Sequence, residues 1–446
     1  MDSSATSRTI SASGPSATSP IRVSARRAGL TKGDKMTRRL TAGALTLLAG
    51  SLILSACGSD GDPGADGDKE PIVVGIAGAR VGAIANIGEG ISEGIIDWFE
   101  MVNAEGGVNG REVEIVEVET EYEAPPAVEA FSRFQQDDAA VVVTQGTAIT
   151  DALTPVATQN KIPLFFPGQG NLETVDGEAA PYVFPASPLY AHQASALVDY
   201  LIQENGPDTT FACLAWEAPA GREFCNGAAD AAEKNFVGEV VFPARAADLA
   251  PQVNRLVDLG ADVNLHSAVF GQATAAFKGL CEAAPDSIMG TWHWSVTKDA
   301  VEGAGKDCME GMYATSMSTL TTDEPEAFTM LQDFWSESGE EPNPVALNNT
   351  VYSNGLYFAT VLEEAIRLAD DKVGDGPITG EDMKAALESI TDFEGYGAAC
   401  PITLTPKDHS GNRALNIYRV ESGEFARVET CVVGPPVAGE PDVGQN

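Results

Sequence analysis

Gly90-Ile91-Ser92-Glu93-Gly94 has the G-x-S-x-G spacing of a nucleophile elbow, in which a serine attacks an acyl carbon. That chemistry needs the serine on a sharp turn directly after a strand. Here the preceding strand pattern ends near Ala77, and Ser92 falls inside a helical pattern carried by Ile91, Ile95, Phe99 and Val102. A serine hydrolase is therefore only a remote alternative. Gly303-Ala304-Gly305-Lys306 lacks both the spacing and the following Ser/Thr of a phosphate-binding loop. The four histidines, His192, His266, His293 and His409, lie far apart and show no metal-ligand spacing. No metal, no cofactor and no catalytic residue is expected.

Seven cysteines carry the next chemistry. Arg38 and Arg39, an apolar run from Leu40 to Leu54, and Leu54-Ser55-Ala56-Cys57 form a secretory signal that follows Met36. The run is shorter than the ~20 residues that span a bilayer. Leu-Ser-Ala-Cys resembles the lipobox of bacterial lipoproteins, in which the cysteine becomes the lipidated N-terminus, so Cys57 is expected to be the anchor. Residues 1–35 are then an over-extended, disordered start, 36–56 the signal peptide and 57–70 a flexible acidic tether. An exported chain with an even number of remaining cysteines implies disulfides. Sequential pairing, Cys213–Cys225, Cys281–Cys308 and Cys400–Cys431, closes three short loops, each worth roughly 3 kcal/mol in the chain-entropy model. A zinc site is the rival, without CxxC or HxxxH spacing to support it.

Residues 1–56 hold eight Lys/Arg and two Asp/Glu, which leaves 19 basic and 63 acidic residues from Cys57 onward, a net charge of −44. Such a surface repels nucleic acid and anionic lipid heads, so a nucleic-acid partner is excluded. The charge speaks for solubility and says little about a buried site.

The elements that must position any site alternate. Buried-strand patterns at Ile72–Ala77, Glu112–Glu119, Ala140–Val143 and Ile162–Phe166 are separated by helical ones, and the alternation restarts after Pro188. Strands are expected at 211–215, 239–242 and 263–267, and closing strands at 402–404, 415–420 and 425–432. This is an α/β fold with parallel sheets flanked by helices.

Within this frame the chain resembles a type I periplasmic binding protein of the branched-chain amino acid (Leu/Ile/Val)-binding family. The resemblance rests on Val74-Gly75-Ile76, on Val102-Asn103-Ala104-Glu105-Gly106-Gly107-Val108-Asn109-Gly110-Arg111, on Lys161-Ile162-Pro163-Leu164-Phe165-Phe166-Pro167, on Gly311-Met312-Tyr313 and on Thr405-Pro406-Lys407-Asp408-His409-Ser410-Gly411. It covers about 71–431. It implies two lobes, about 71–185 plus 318–400 and 186–315 plus 412–434, joined by three hinge crossings, with 435–446 as a disordered tail. A small-molecule solute would bind between the lobes, and hinge closure would trap it. The implied function is that of an extracellular substrate-binding lipoprotein of an ABC importer, with the permease subunits and, through the lipid, the membrane as partners. A ligand-sensing protein for a receptor is the alternative.

Loops after strand ends should line the cleft. In the first, Arg80 could hold a carboxylate through two parallel hydrogen bonds, or simply pair with an acidic surface neighbour. The segment Thr144-Gln145-Gly146-Thr147 follows a strand and opens a helix, and the resemblance implies that Gln145, Gly146 and Thr147 meet a ligand carboxylate. At Pro167-Gly168-Gln169-Gly170-Asn171 the family's hydroxyl is missing, and Gln169 stands nearby. Trp216, Phe270 and Trp292 fall where the family's other cleft residues arise, with His293 beside them. Strand alternation would turn at least one of Trp292 and Trp294 into the core. The tyrosine expected near Ala220 and the acidic group expected within 290–294 to meet a ligand ammonium are both absent, unless Glu217 or Glu282 supplies the acid. An organic acid or amide with an apolar or aromatic body is therefore expected, rather than free leucine, isoleucine or valine.

Overall fold

The computed structural model describes residues 21–23, 69–166 and 170–444, with backbone only at 21–23 and at Phe270. The expected anchor Cys57 and the expected contact Gln169 lie outside the described residues.

Thirteen strands fall into two sheets. The first contains β1 (Ile21–Val23), β2 (Ile72–Gly78), β3 (Val113–Glu119), β4 (Val141–Thr144), β5 (Leu164–Phe165) and β6 (Val183–Phe184) in the order β1-β3-β2-β4-β5-β6. All of its pairings are parallel except the outer one, where β1 runs antiparallel to β3 with Arg22 opposite Val116. A strand within 1–35 differs from the disorder expected there.

The second sheet contains β7 (Phe211–Trp216), β8 (Phe236–Phe242), β9 (Val263–His266), β10 (Ile288–Thr291), β11 (Tyr313–Ser316), β12 (Leu415–Glu421) and β13 (Glu424–Val432) in the order β13-β12-β11-β10-β9-β7-β8. Its first five strands in chain order repeat the arrangement of β2 to β6, and β12 and β13 add an antiparallel edge. The Val/Ile-rich runs are buried on both faces, as parallel strands covered by helices must be. The expected strand at 402–404 is an isolated bridge between Phe393 and Ile402, because Pro401 and Pro406 bracket it.

After β11 the chain returns to the first sheet. The helix Tyr352–Val373 packs on the helix Ala85–Ala104 at a crossing of glycines. A Cβ on Gly94 would lie 2.7 Å from the Leu356 amide nitrogen, and one on Gly355 would strike the Ile91 carbonyl. Only glycine permits that approach. The capping box expected at Thr379 and Asp382 starts the helix Gly380–Leu387.

The segments linking the two sheets run side by side. Ala186 donates its amide to the His409 carbonyl (2.9 Å), and the Ser410 hydroxyl donates to the Ser187 carbonyl (2.7 Å). Thr319 donates its amide to the Ala398 carbonyl (2.7 Å). Ala186 has a left-handed φ of 46°, held by its amide bond and by the Tyr357 hydroxyl on its carbonyl.

The tail differs from the expectation of disorder. Ser195 donates its hydroxyl to the Pro435 carbonyl at 2.7 Å, and Glu440 pairs with Arg413 and His192. Val443 is buried against Val175 and Leu189. Proline and glycine deny this stretch any helical or strand period, so its pattern looks like a tail although its side chains are anchored.

The three cysteine pairs Cys213–Cys225, Cys281–Cys308 and Cys400–Cys431 are joined in the structure, with Cα separations of 5.7, 5.7 and 5.6 Å. These separations suit disulfides. No described helix is long and apolar enough to cross a membrane.

Candidate functional site

The carboxyl ends of the parallel strands of both sheets face one another across a cleft. Its mouth is an open cavity of about 970 Å³ bounded by Gly82, Tyr122, Trp216, Arg245 and Gln272. Arg245 bridges this mouth to Glu123 at 2.9 Å, both side chains being largely exposed. Deeper in lies a pocket of about 20 Å³, walled by side chains of both sheets. That is room for about one water and not for a solute, so the lobes stand closed on each other and a ligand needs them to part.

The polar end of the pocket is Gly146-Thr147, the start of the helix Thr147–Asn160. Gly146 has a φ of 107°, and a Cβ there would collide with the Tyr122 ring. The Thr147 and Ala148 amides belong to the first turn, whose donors have no partner within the helix. Thr147 is buried and its hydroxyl accepts from the Gly170 amide at 3.0 Å. The Tyr122 hydroxyl is directed at the Ala148 amide, and burial pushes its pKa up to about 12, so it stays protonated. Amides at a helix start, a hydroxyl and a phenol form a cradle for an anionic group.

The rest of the pocket is aromatic. Trp216 ends β7 and donates its indole N–H to the Ala244 carbonyl at 3.2 Å. Trp292 donates to the Ala268 carbonyl at 2.8 Å and meets Tyr190 edge to face at 5.1 Å. Trp294 donates to the Tyr190 hydroxyl at 3.0 Å. Its ring stacks on Phe166 of the first sheet at 6.2 Å, with planes 7° apart, and this pair closes the two walls together. Each indole N–H is used within the protein, so these rings offer a ligand faces and edges only.

The residues expected from the sequence divide. Gly146, Thr147, Trp216 and Trp292 line the pocket. Arg80 does not. Its Nε donates to both oxygens of Glu117 (2.8 and 3.0 Å) and its Nη1 to Glu93 (2.6 Å), so the expectation of a ligand contact is corrected to an internal ion pair. Gln145 is corrected as well. Its oxygen accepts from the Ala79 amide (2.7 Å), and its nitrogen donates to the Gly88 carbonyl (3.2 Å) and to Ser92 (2.9 Å). That same Ser92 is mid-helix, fully buried and bonded to Glu117, which is not an elbow. His293 lies behind the pocket wall. Its Nδ1 meets Gln193 at 2.7 Å, and burial lowers its pKa to about 3, so it stays neutral. Phe270 is the first residue of the helix Phe270–Ala283, next to the lining residue Val269.

Trp294 reaches the pocket together with Trp292 because β10 stops at Thr291 and 293–295 form a 3-10 turn, which cancels strand alternation. Sequence reasoning missed Tyr122, Phe166 and Tyr190. Tyr122 has a signal in the sequence, since it follows β3 at a carboxyl end, where the loops of a parallel sheet line a cleft. Tyr190 opens a helix after a hinge crossing, and nothing local to it points at the cleft.

Comparison with known proteins gives this geometry a family. A curated protein of Pseudomonas aeruginosa called "Amino acid binding protein" is 35% identical over 72 residues, which is 16% of this chain and 19% of that one, so the match spans a small part of its length. A solved structure described as an ABC transporter permease from the Pseudomonas fluorescens group is 26% identical, with a TM-score of 0.72 over 82% of this chain and 92% of the other. A branched-chain amino acid ABC transporter protein from Thermus thermophilus, solved with bound valine, superposes with a TM-score of 0.73 at 20% identity over 82% and 97%. A fatty acid ABC transporter substrate-binding protein from Thermomonospora curvata does so with 0.68 at 18% over 84% and 93%. At such identities the last two show the shared fold alone. The profile described as "Periplasmic binding protein" matches residues 71–424, and on that match, with a cleft between two α/β sheets, the chain belongs to the type I periplasmic binding protein family.

Proposed function

We propose that this protein is the exported solute-binding component of an ABC importer. In this reading it is tethered through a lipid on Cys57, closes its two lobes, about 71–185 plus 318–400 and 186–315 plus 412–434, on a small molecule, and passes it to a permease. The ligand carries an anionic end, held at the Thr147 and Ala148 amides with the Thr147 and Tyr122 hydroxyls, and an apolar or aromatic body held by Trp216, Trp292 and Trp294. The observation that carries this is the pocket itself, in which a helix start from one sheet faces tryptophans from the other. Valine and a fatty acid, named for two proteins of the same fold, both join a carboxylate to an apolar body. Export suits the family, and the acidic surface suits a protein that works in solvent at a membrane face without adhering to anionic lipid.

The experiment is native mass spectrometry of the purified chain from Cys57 onward, with Cys57 replaced by serine to keep it soluble. One small carboxylate-bearing molecule per chain, displaced by mild unfolding, is the expected result. A chain that carries nothing and shows no thermal stabilisation by any carboxylic or amino acid refutes the reading.

A further inference from the structure

Residues 434–443 read Gly-Pro-Pro-Val-Ala-Gly-Glu-Pro-Asp-Val. The prolines Pro435, Pro436 and Pro441 remove amide donors and hold the backbone extended, so the stretch is stiff without belonging to a helix or sheet. It leaves β13 and is fixed first to the second lobe. Gly434 lies against the helix Tyr190–Asn205, where a Cβ would come within 2.4 Å of the Ala196 amide nitrogen, so only glycine fits. The Pro435 carbonyl accepts from Ser195 Oγ at 2.7 Å. The Ala438 amide donates to Asp230 on the helix Pro219–Ala232 at 3.1 Å.

From Gly439 onward the same stretch passes to the hinge and then to the first lobe. Glu440 sits between Arg413 and His192, with Oε1 accepting from Arg413 Nε and Oε2 3.0 Å from His192 Nε2. The Leu189 amide donates to His192 Nδ1 at 3.0 Å, which leaves the ring proton on Nε2, facing Glu440. Arg413 follows the crossing segment that runs beside 186–187, and its Nη1 lies 3.6 Å from Asp408 of that segment. His192 and Arg413 are both buried, so loss of the Glu440 carboxylate would leave buried donors short of a partner. Beyond it Val443 is buried against Val175 of the first lobe and Leu189 of the second, with Leu172 packed on the group. An open cavity of about 400 Å³ is lined by these tail residues together with His192 and Arg413, so the tail is attached at points and not along its whole length.

We propose that residues 434–443 are a strap across the hinge that holds the two lobes in the closed arrangement, a step that rests on the two-lobe reading above. Pro435 and Ala438 anchor the strap on the second lobe, Glu440 latches it to the crossing segment, and Val443 wedges its end between Val175 and Leu189. Rotation of one lobe against the other changes the spacing of Val175 and Leu189, and a stiff strap fixed at both ends resists that change. Leu189 is followed directly by Tyr190, which lines the pocket, so the wedge and the pocket wall belong to one short segment. The strap thus biases the equilibrium between open and closed lobes, and the pocket opens when Glu440 and Val443 let go.

The test is amide hydrogen exchange of the ligand-free protein, compared with a chain ending at Gly439 and with the full-length double variant Glu440→Gln, Val443→Ala. The shortened chain loses the latch and the wedge but keeps the anchors at Pro435 and Ala438. The double variant keeps the chain length and removes one charge and two methyl groups, so it serves should the shortened chain fail to fold. In either variant the amides at 146–148 and 216–220, on the two sides of the pocket, should exchange about 10-fold faster or more, because they exchange when the lobes part. The sheet interior at 141–144 and 211–214 should exchange as in wild type, which separates lobe opening from global unfolding. A folded variant whose pocket amides exchange as in wild type overturns the proposal. So does a rise confined to 190–205 and 219–232, which would make the tail a local clasp on the second lobe. No ligand enters the measurement, so either of these results leaves the binding reading standing. A chain that binds no solute but shows the expected exchange refutes the binding reading and leaves the strap.

Discussion

Replacing Arg80 by methionine separates a ligand contact from a structural one. Arg80 ties Glu117 to Glu93, and the side chains are 24%, 4% and 21% exposed. Without the guanidinium, Glu117 keeps the Ser92 hydroxyl at 2.7 Å as its side-chain hydrogen bond and remains buried as an unpaired carboxylate. Breaking a buried pair from one side costs ~3–5 kcal/mol, and the partial exposure of Arg80 places the loss near the lower end, at about 3 kcal/mol. At roughly 2–4 °C per kcal/mol for a domain of this size, the melting temperature should fall by about 6–12 °C. Ligand affinity at 25 °C should change little, because Arg80 does not line the pocket. The double variant Arg80→Met, Glu117→Met should recover most of the loss, since replacing both partners by apolar groups is often close to neutral. Thermal unfolding beside calorimetric titration measures both quantities. A single variant that melts like wild type but loses its ligand would refute the argument and restore Arg80 to the site.

Three further outcomes follow from the geometry. Asp97 accepts from Tyr352 (2.8 Å) and Asn343 (2.7 Å), and burial raises its pKa to about 7. The folded state therefore keeps a proton that the unfolded chain releases above its ordinary value, and stability falls as pH rises from about 4 to about 7, by on the order of 4 kcal/mol. Asp97→Asn should melt higher than wild type at pH 8, and the difference should close by pH 4. Opening the Cys281–Cys308 link, which spans 27 residues, by paired serine substitution should cost about 3–4 kcal/mol on the chain-entropy model, and non-reducing peptide mapping of the wild type should recover all three sequential pairs. Cys57→Ser should release the exported protein from the membrane or block its processing, and a variant that stays membrane-bound and normally cut would contradict the lipid anchor.

The alternation of buried runs was enough to read the parallel sheets, because β2, β4 and β7 are continuous apolar segments that a half-exposed strand could not carry. β10 and β11 were not legible. Ile288–Thr291 and Tyr313–Ser316 are four residues each, with Gly or Ala and Thr in place of an apolar run. At the site, strand-end loops were correctly located, but the direction of a side chain within them was not. Arg80 and Gln145 are claimed by Glu117, Ala79 and Ser92, partners that only the folded sheet brings near. Trp294 turns inward through a 3-10 turn that strand periodicity cannot represent.

Intrinsic tryptophan fluorescence tests the location of the site most directly, because Trp216, Trp292 and Trp294 all line the pocket. Titrating the purified protein with the molecule that co-purifies should give a saturable change at one ligand per chain. That change should be lost when Trp216, Trp292 and Trp294 are all replaced by phenylalanine in a chain that still binds. Calorimetric binding with no change in the fluorescence of any of these tryptophans would place the ligand elsewhere and contradict the account.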